Sequence, residues 1–218
     1  MPYPQAPWLL QGHAFQTIQL FDGDRVRAGI PSELEIVSPI PGKTLGGIYF
    51  ASYTQGSVLQ YNELIVVSAF VRKGANIGAW ISHIYVDHPD SVAGGRDIWG
   101  LPKELAQFDW QVGARTSVVV SQGSDRLCQL TCDWELPGLP QALSMSAFSQ
   151  QVSRLLQFSA TEHGQLHLVG AKVEIPPTSP IALLNPSPVG MAFHCTELVL
   201  TVKAPVVMSE PLELAGRR

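Results

Sequence analysis

The sequence predicts a single, mainly antiparallel β domain, closed into a barrel or folded as a sandwich, with one α-helix packed on it. Three observations carry that prediction. Short runs in which apolar and polar residues alternate recur along most of the chain. Gly- and Pro-rich turns separate those runs, which is the spacing of an all-β sandwich or barrel. A meander this long would expose sheet edges unless the sheet closed, and closure removes them.

Taken in order, "FQTIQLF" alternates as a strand, a short helical stretch follows at Asp22–Gly29, and "LEIVSPI" returns to strand. "TLGGIYFASY" and "NELIVVSAFVRKG" read as a strand pair joined by the polar loop "TQGSVLQY", and "GAWISHIYVD" as the next strand. Asp87 then caps one or two helical turns, which Gly94–Gly95 loosen. "ELAQFDWQVG", "RTSVVVSQG" and "DRLCQLTCDWEL" each end at a glycine or a Pro/Gly-rich segment, as the strands of a meander do. The packed helix is predicted in "SMSAFSQQVSRLLQFSA", where Ser144 or Ser146 caps a stripe of Phe148, Val152, Leu155 and Leu156 at helical spacing. Strands resume in "QLHLVGAKVEI" and "MAFHCTELVLTVKAPVVM". No repeat or linker divides the chain, so the expectation is one domain over 1–208 and a tail over 209–218.

Composition removes several classes of function. Of 218 residues, 45% are hydrophobic and only 15% charged, so many positions face an interior, a cavity or a partner. A net charge of −4 without a basic cluster argues against nucleic acid. No apolar run reaches the roughly 20 residues of a transmembrane segment. "MPYPQAPWLLQGHAF" lacks the basic start and apolar centre of a signal peptide. Three cysteines without framework spacing, with Cys128 and Cys132 reading as buried strand thiols, suit a reducing, cytoplasmic setting. Low charge and apolar strands predict a homo-oligomer.

Phosphate-cradling and nucleophile-elbow motifs are missing. His163 and His167, four apart, would share a strand face, but no matching cysteine or carboxylate pattern accompanies them. The expectation is therefore no metal and, without a phosphate-cradling motif, no nucleotide cofactor.

Two residues are candidates for chemistry. Glu63 opens the apolar run "ELIVVSAF" and by alternation shares a face with Ile65 and Val67. It is either a strand-start residue at the barrel rim or a carboxylate in an apolar cavity, where desolvation favours the acid form and lets it move protons. Lys103 follows a proline, as a solvated turn residue would. Yet Trp99, Leu101 and Pro102 precede it, and Leu105, Phe108 and Trp110 follow. In such company burial disfavours the ammonium, and a free amine attacks a ketone or aldehyde to form a Schiff base.

The segment "GRDIWGLPKELAQF" resembles the active-site segment of the acetoacetate decarboxylase superfamily, in which Gly-Arg, a short apolar stretch and Pro-Lys occur in this order. That enzyme is also the standard example of a lysine activated by its surroundings. The resemblance puts Lys103 at the Schiff-base position, Glu63 on an active-site acidic residue, and Arg96 on the family's Gly-Arg, as a loop tie or a substrate-binding group. It runs in order from about Trp8 to the "TELVLTVKAPVVM" strand. "APWLLQGHAFQ", "TLGGIYFASY", "NELIVVSAFV" and "GRDIWGLP" are similar to the plant neoxanthin-deficient branch, linked to xanthophyll metabolism. Glu104 stands where the decarboxylase has a second lysine; Gly12–His13–Ala14 and Gly47–Tyr49 stand where it has an arginine and a further glutamate.

The implied function is a Schiff-base lyase of decarboxylase, aldolase or dehydratase type. Its substrate would be an oxo compound larger or more apolar than acetoacetate, in a pocket formed by Tyr49, Phe50, Tyr53, Trp80 and Trp99. The alternative is a non-catalytic binding or accessory protein for an apolar isoprenoid or carotenoid.

Overall fold

The structure, a computed structural model, describes residues 3–113 and 115–209. Its elements are β1 (Trp8–Asp22), α1 (Gly23–Arg27), β2 (Glu35–Ile36), β3 (Lys43–Tyr53), β4 (Tyr61–Lys73), β5 (Asn76–Val86) and α2 (Pro89–Trp99). There follow β6 (Lys103–Leu105), β7 (Gln107–Gln111), β8 (Thr116–Gln122), β9 (Asp125–Glu135), β10 (Leu139–Gln151) and β11 (Arg154–Glu174). A 3-10 turn (Pro180–Leu184), β12 (Met191–Val202) and β13 (Val206–Ser209) complete the described chain. Most of the predicted tail lies outside the described residues; Ser209 belongs to β13.

The sheet closes on itself in the order β10–β5–β4–β3–β1–β12–β11, with β11 pairing back to β10. Closure is made by a short parallel seam, Ala147↔Ala79 and Phe148↔Trp80, so the ring is not a regular barrel. β11 is long enough to leave the ring and pair through Val169–Glu174 with β9, from which β8 and β7 extend the sheet.

Strand alternation divides the apolar residues between two cores. One gathers Phe15, Phe21, Phe50, Leu64, Trp80 and Phe148; the other gathers Trp8, Leu10, Tyr53, Tyr61, Trp99 and Phe158. Each large side chain so buried contributes roughly 1.5–3 kcal/mol relative to exposure.

The helix predicted at 144–160 is instead a β-hairpin, with β10 and β11 in register from Leu139↔Leu166 to Gln151↔Arg154. Its turn is Val152–Ser153, with Val152 at φ 56 and almost fully exposed. No Gly, Asn or Pro marks that turn, so the helical spacing of Phe148, Leu155 and Leu156 was the visible signal. Tertiary pairing overrides it, because this hairpin supplies the partners that β5 and β12 need for closure.

The helix that does pack on the sheet is α2, longer than the one or two turns expected. Its cap is His88 rather than Asp87: the His88 side chain accepts from Asp90 N–H, with Pro89 in the first turn. Asp87 instead accepts from the backbone and side-chain amides of Asn62, at 2.7 and 2.6 Å. At the other end Gly100 takes φ 62, and Gly100 and Leu101 N–H return to Arg96 and Gly95 carbonyls at 3.0 and 3.1 Å. That left-handed stop, followed by Pro102, turns the chain into β6.

Candidate active site

β6 lies parallel to β5, with Ile84 opposite Lys103 and Tyr85 opposite Glu104. Adjacent strand residues point to opposite faces, so Lys103 is 4% exposed while Glu104 faces outward and accepts from Gln122 Nε2 at 3.0 Å. Glu104 is therefore turned away from the lysine amine. Lys103 Nζ donates to Glu63 Oε1 at 2.7 Å and Ser91 Oγ at 3.0 Å, with the Tyr61 hydroxyl at 3.5 Å. It also stands over the rings of Tyr61 and Trp8, 5.0 and 5.6 Å from their centroids.

Glu63 is 3% exposed and its second oxygen accepts from the Tyr53 hydroxyl at 3.0 Å. The Tyr53 and Tyr49 hydroxyl oxygens are 3.5 Å apart. Because the single Tyr53 proton lies on Glu63, a bond between the phenols uses the Tyr49 proton. The result is a line from the cavity wall at Tyr49 through Tyr53 to Glu63 and Lys103. Burial holds the phenols of Tyr49, Tyr53 and Tyr61 well above their ordinary range, so all three stay protonated.

The cavity in front of Lys103 has a volume of about 150 Å³. Its walls are mostly hydrocarbon, among them Leu10, Ile65, Ile84, Leu101, Phe158 and Leu200. Glu63, Ile65 and Val67 all line it, as strand alternation predicts. Two polar groups interrupt the apolar wall: Lys103 with Glu63 and Tyr61, and Glu162 with Gln16.

Of the predicted pocket residues, Tyr49 and Trp99 line the cavity, and Tyr53 stands behind it on Glu63. Phe50 and Trp80 do not line it; they pack in the other core. Phe50 follows Tyr49 and faces the opposite side of β3. Trp80 lies beside the irregular β4–β5 register and points to the same far side. Arg96 does not line the cavity either: its Nε donates to the Lys103 carbonyl at 2.8 Å, tying α2 to β6.

His163 and His167 do not converge, because a register shift between His163 and Gln165 breaks the alternation that would have put them on one face. His167 and His194 instead share the Glu135 carboxylate, at 3.0 and 2.8 Å. Among the described residues no group of His, Cys, Asp and Glu is arranged to hold a metal. No helix among them is long and apolar enough to cross a membrane.

Sequence reasoning missed Trp8, Tyr61, Ser91 and Glu162. Tyr61 had a signal, since it sits two positions before Glu63 on the same strand face. Ser91 had none, and Glu162 was hidden by the helical reading of its neighbourhood.

The closed β ring is the fold of acetoacetate decarboxylase-like structures. The family profile "Acetoacetate decarboxylase (ADC)" matches residues 1–170, and the chain belongs to that family. It is 30% identical over 125 residues to Protein NEOXANTHIN-DEFICIENT 1 of Solanum lycopersicum, covering 57% of this chain and 42% of that protein. It is 33% identical over 113 residues to acetoacetate decarboxylase of Paraburkholderia phytofirmans, covering 48% and 40%. The chain thus spans less than half the length of these curated relatives.

Among solved structures, acetoacetate decarboxylase from Legionella pneumophila superposes with TM-score 0.78 at 20% identity, covering 98% of this chain and 91% of that one. The enduracididine biosynthesis enzyme MppR complexed with pyruvate superposes with TM-score 0.67 at 16% identity, covering 94% and 91%. At those identities the likeness is one of fold.

Proposed function

We propose that this protein is a Schiff-base-forming lyase acting on an oxo compound more apolar than acetoacetate, with Lys103 as nucleophile and Glu63 as proton carrier. The observation that carries the reading is the 2.7 Å contact between the buried Lys103 amine and Glu63 at the wall of an apolar cavity. One proton moved along that contact turns the ion pair into a free amine and a carboxylic acid, the forms the reaction needs. The amine adds to the substrate carbonyl, and the carbinolamine loses water to give an iminium. In the C–C case the bond from the α carbon to the β carbon then breaks, its electrons form an enamine, and the β carbon leaves as carbon dioxide or an aldehyde. In the C–O case the α carbon loses a proton to give the enamine, which expels the β oxygen with the C–O electrons as water, leaving a conjugated iminium. Glu63 and the phenol line return the proton, and water releases the product and the lysine. No added cofactor enters this scheme.

The test is borohydride trapping with a panel of ketones and aldehydes, read by peptide mass spectrometry. A reduced adduct on Lys103, absent in Lys103→Ala, is expected; no adduct at Lys103 across the panel overturns the proposal. A cavity of about 150 Å³ is near the size that holds a benzene-like molecule, so the ligand is small or leaves its tail in the open part beside the exposed Met145.

The second reading, an accessory protein binding an apolar isoprenoid, is favoured by the hydrocarbon walls and by the name of the Solanum lycopersicum relative. Visible absorbance retained after incubation with carotenoids and gel filtration would support it. A homo-oligomer belongs to the same proposal, supported by Leu139, Leu143 and Met145, all exposed along β10. Light scattering on the purified chain tests it. A reducing, cytoplasmic location belongs to it too, supported by the free, buried Cys128, Cys132 and Cys195.

A further inference from the structure

Glu162 is the second carboxylate of the cavity and has no part in the scheme above. It follows Phe158 and Ala160 on the inward face of β11, and all three line the cavity. It is 9% exposed, and its partners are amides: Oε1 accepts from Gln16 Nε2 at 2.6 Å and Gln141 Nε2 at 2.8 Å, and Oε2 from Gln16 Nε2 at 2.8 Å.

Among the described residues no lysine, arginine or histidine forms an ion pair with it, whereas Glu63 has Lys103. The neighbouring Cys195 thiol, pushed up to about 12 by burial, by the Glu162 charge and by a weak hydrogen bond to that carboxylate, offers no counter-charge. A carboxylate has about four acceptor positions; the amides fill three, leaving one on Oε2 that no amide fills. Beside it, Gln141 Oε1 is buried without a partner, because its amide nitrogen is turned to the carboxylate.

We infer that the ligand of this cavity carries an alcohol in addition to its carbonyl, and that Glu162 selects it by accepting that hydroxyl and excluding anions. A hydroxyl brings one donor to the one acceptor position that no amide fills. An ammonium would bring three donors, most of which would face hydrocarbon. A carboxylate would meet an uncompensated negative charge in a low-dielectric wall. The inference rests on the lyase reading for the carbonyl only; the hydroxyl selection is a property of Glu162 and its amides.

The experiment uses the full chain and three aliphatic methyl ketones matched in length, over several lengths, whose far ends are hydroxyl, methyl or carboxylate. Affinity is measured by calorimetry and Lys103 trapping by borohydride, as separate readouts. The hydroxyl ketone is expected to bind about 10- to 100-fold tighter than the methyl ketone, the worth of one hydrogen bond to a charged acceptor, with the carboxylate weakest. In Glu162→Gln, checked for folding by its thermal melt, the discrimination against carboxylate is expected to collapse.

Carboxylate binding as tightly as hydroxyl, an order unchanged in folded Glu162→Gln, or no binding by any ketone overturns the inference. If the wild-type order holds while Lys103 is never trapped, the hydroxyl selection stands and the lyase proposal falls. If trapping succeeds with the order reversed, the lyase proposal stands and this inference falls.

Discussion

Gly95 and Lys103 are fitted to each other. A β-carbon added at Gly95 would stand 2.5 Å from Lys103 Cδ and 2.7 Å from Cε, so the lysine stem crosses α2 where the helix has no side chain. Gly94 is matched in the same way to the Trp8 ring, 2.6 Å from an added β-carbon. The paired glycines that look like a loosened helix are a docking face for the two residues that bound the amine.

Gly95→Ala is therefore expected to move the lysine and not the helix, since the obstructed atoms belong to a flexible side chain. Alanine favours the helix interior by roughly 0.5–1 kcal/mol, which offsets the crowding. Circular dichroism and thermal midpoint should stay near wild type, while the rate of borohydride trapping falls about 10- to 100-fold through misplacement of the nucleophile. An unchanged trapping rate would show that the stem does not need that face.

Removing one half of the buried Lys103–Glu63 pair strands the other. Lys103→Met is expected to cost about 3–5 kcal/mol in urea unfolding, because Glu63 keeps only Tyr53. Lys103→Met combined with Glu63→Leu should recover most of that loss, as apolar replacements of buried pairs often do. Additive losses would contradict the coupling seen in the geometry.

Acidification should destabilise the fold through His13. Burial first, and then the neighbouring His194, lower its affinity for a proton below the ordinary 6.5. Its Nδ1 has no partner, and its ring packs on those of Trp110 and His194 at 5.2 and 5.4 Å. The unfolded chain therefore binds the proton more readily than the folded one, so stability present above pH 6.5 is lost as the pH falls from there through the lowered folded value. His83, also lowered by burial, adds to the loss, while Glu104 opposes part of it. In His13→Phe the fall in thermal midpoint between pH 7.5 and 5.5 (about two pH units across that window) should be smaller than in wild type.

Val152 holds a left-handed backbone with a β-branched side chain that touches little. Val152→Asn, which tolerates that conformation, should stabilise the chain by about 1 kcal/mol in urea without changing Lys103 trapping. A loss of stability would mean that the β10–β11 turn is built differently.

By itself the sequence determined the β class, most strand positions, the face Glu63 shares with Ile65 and Val67 and the candidacy of Lys103, because alternation and turn residues act over a few neighbours. Apolar company around Lys103 predicted its burial without naming its partners. Tertiary structure alone decided that 144–160 is a hairpin, since the pairing needs of β5 and β12 lie far away in the chain. It also decided which aromatics reach the cavity. Tyr49 and Phe50 differ by one position on a strand, and Trp80 beside an irregular register, so composition could not separate them. The Glu162 cluster is the clearest case: Gln16, Gln141 and Glu162 come from β1, β10 and β11, and only the closing of the ring sets their side chains within hydrogen-bonding distance.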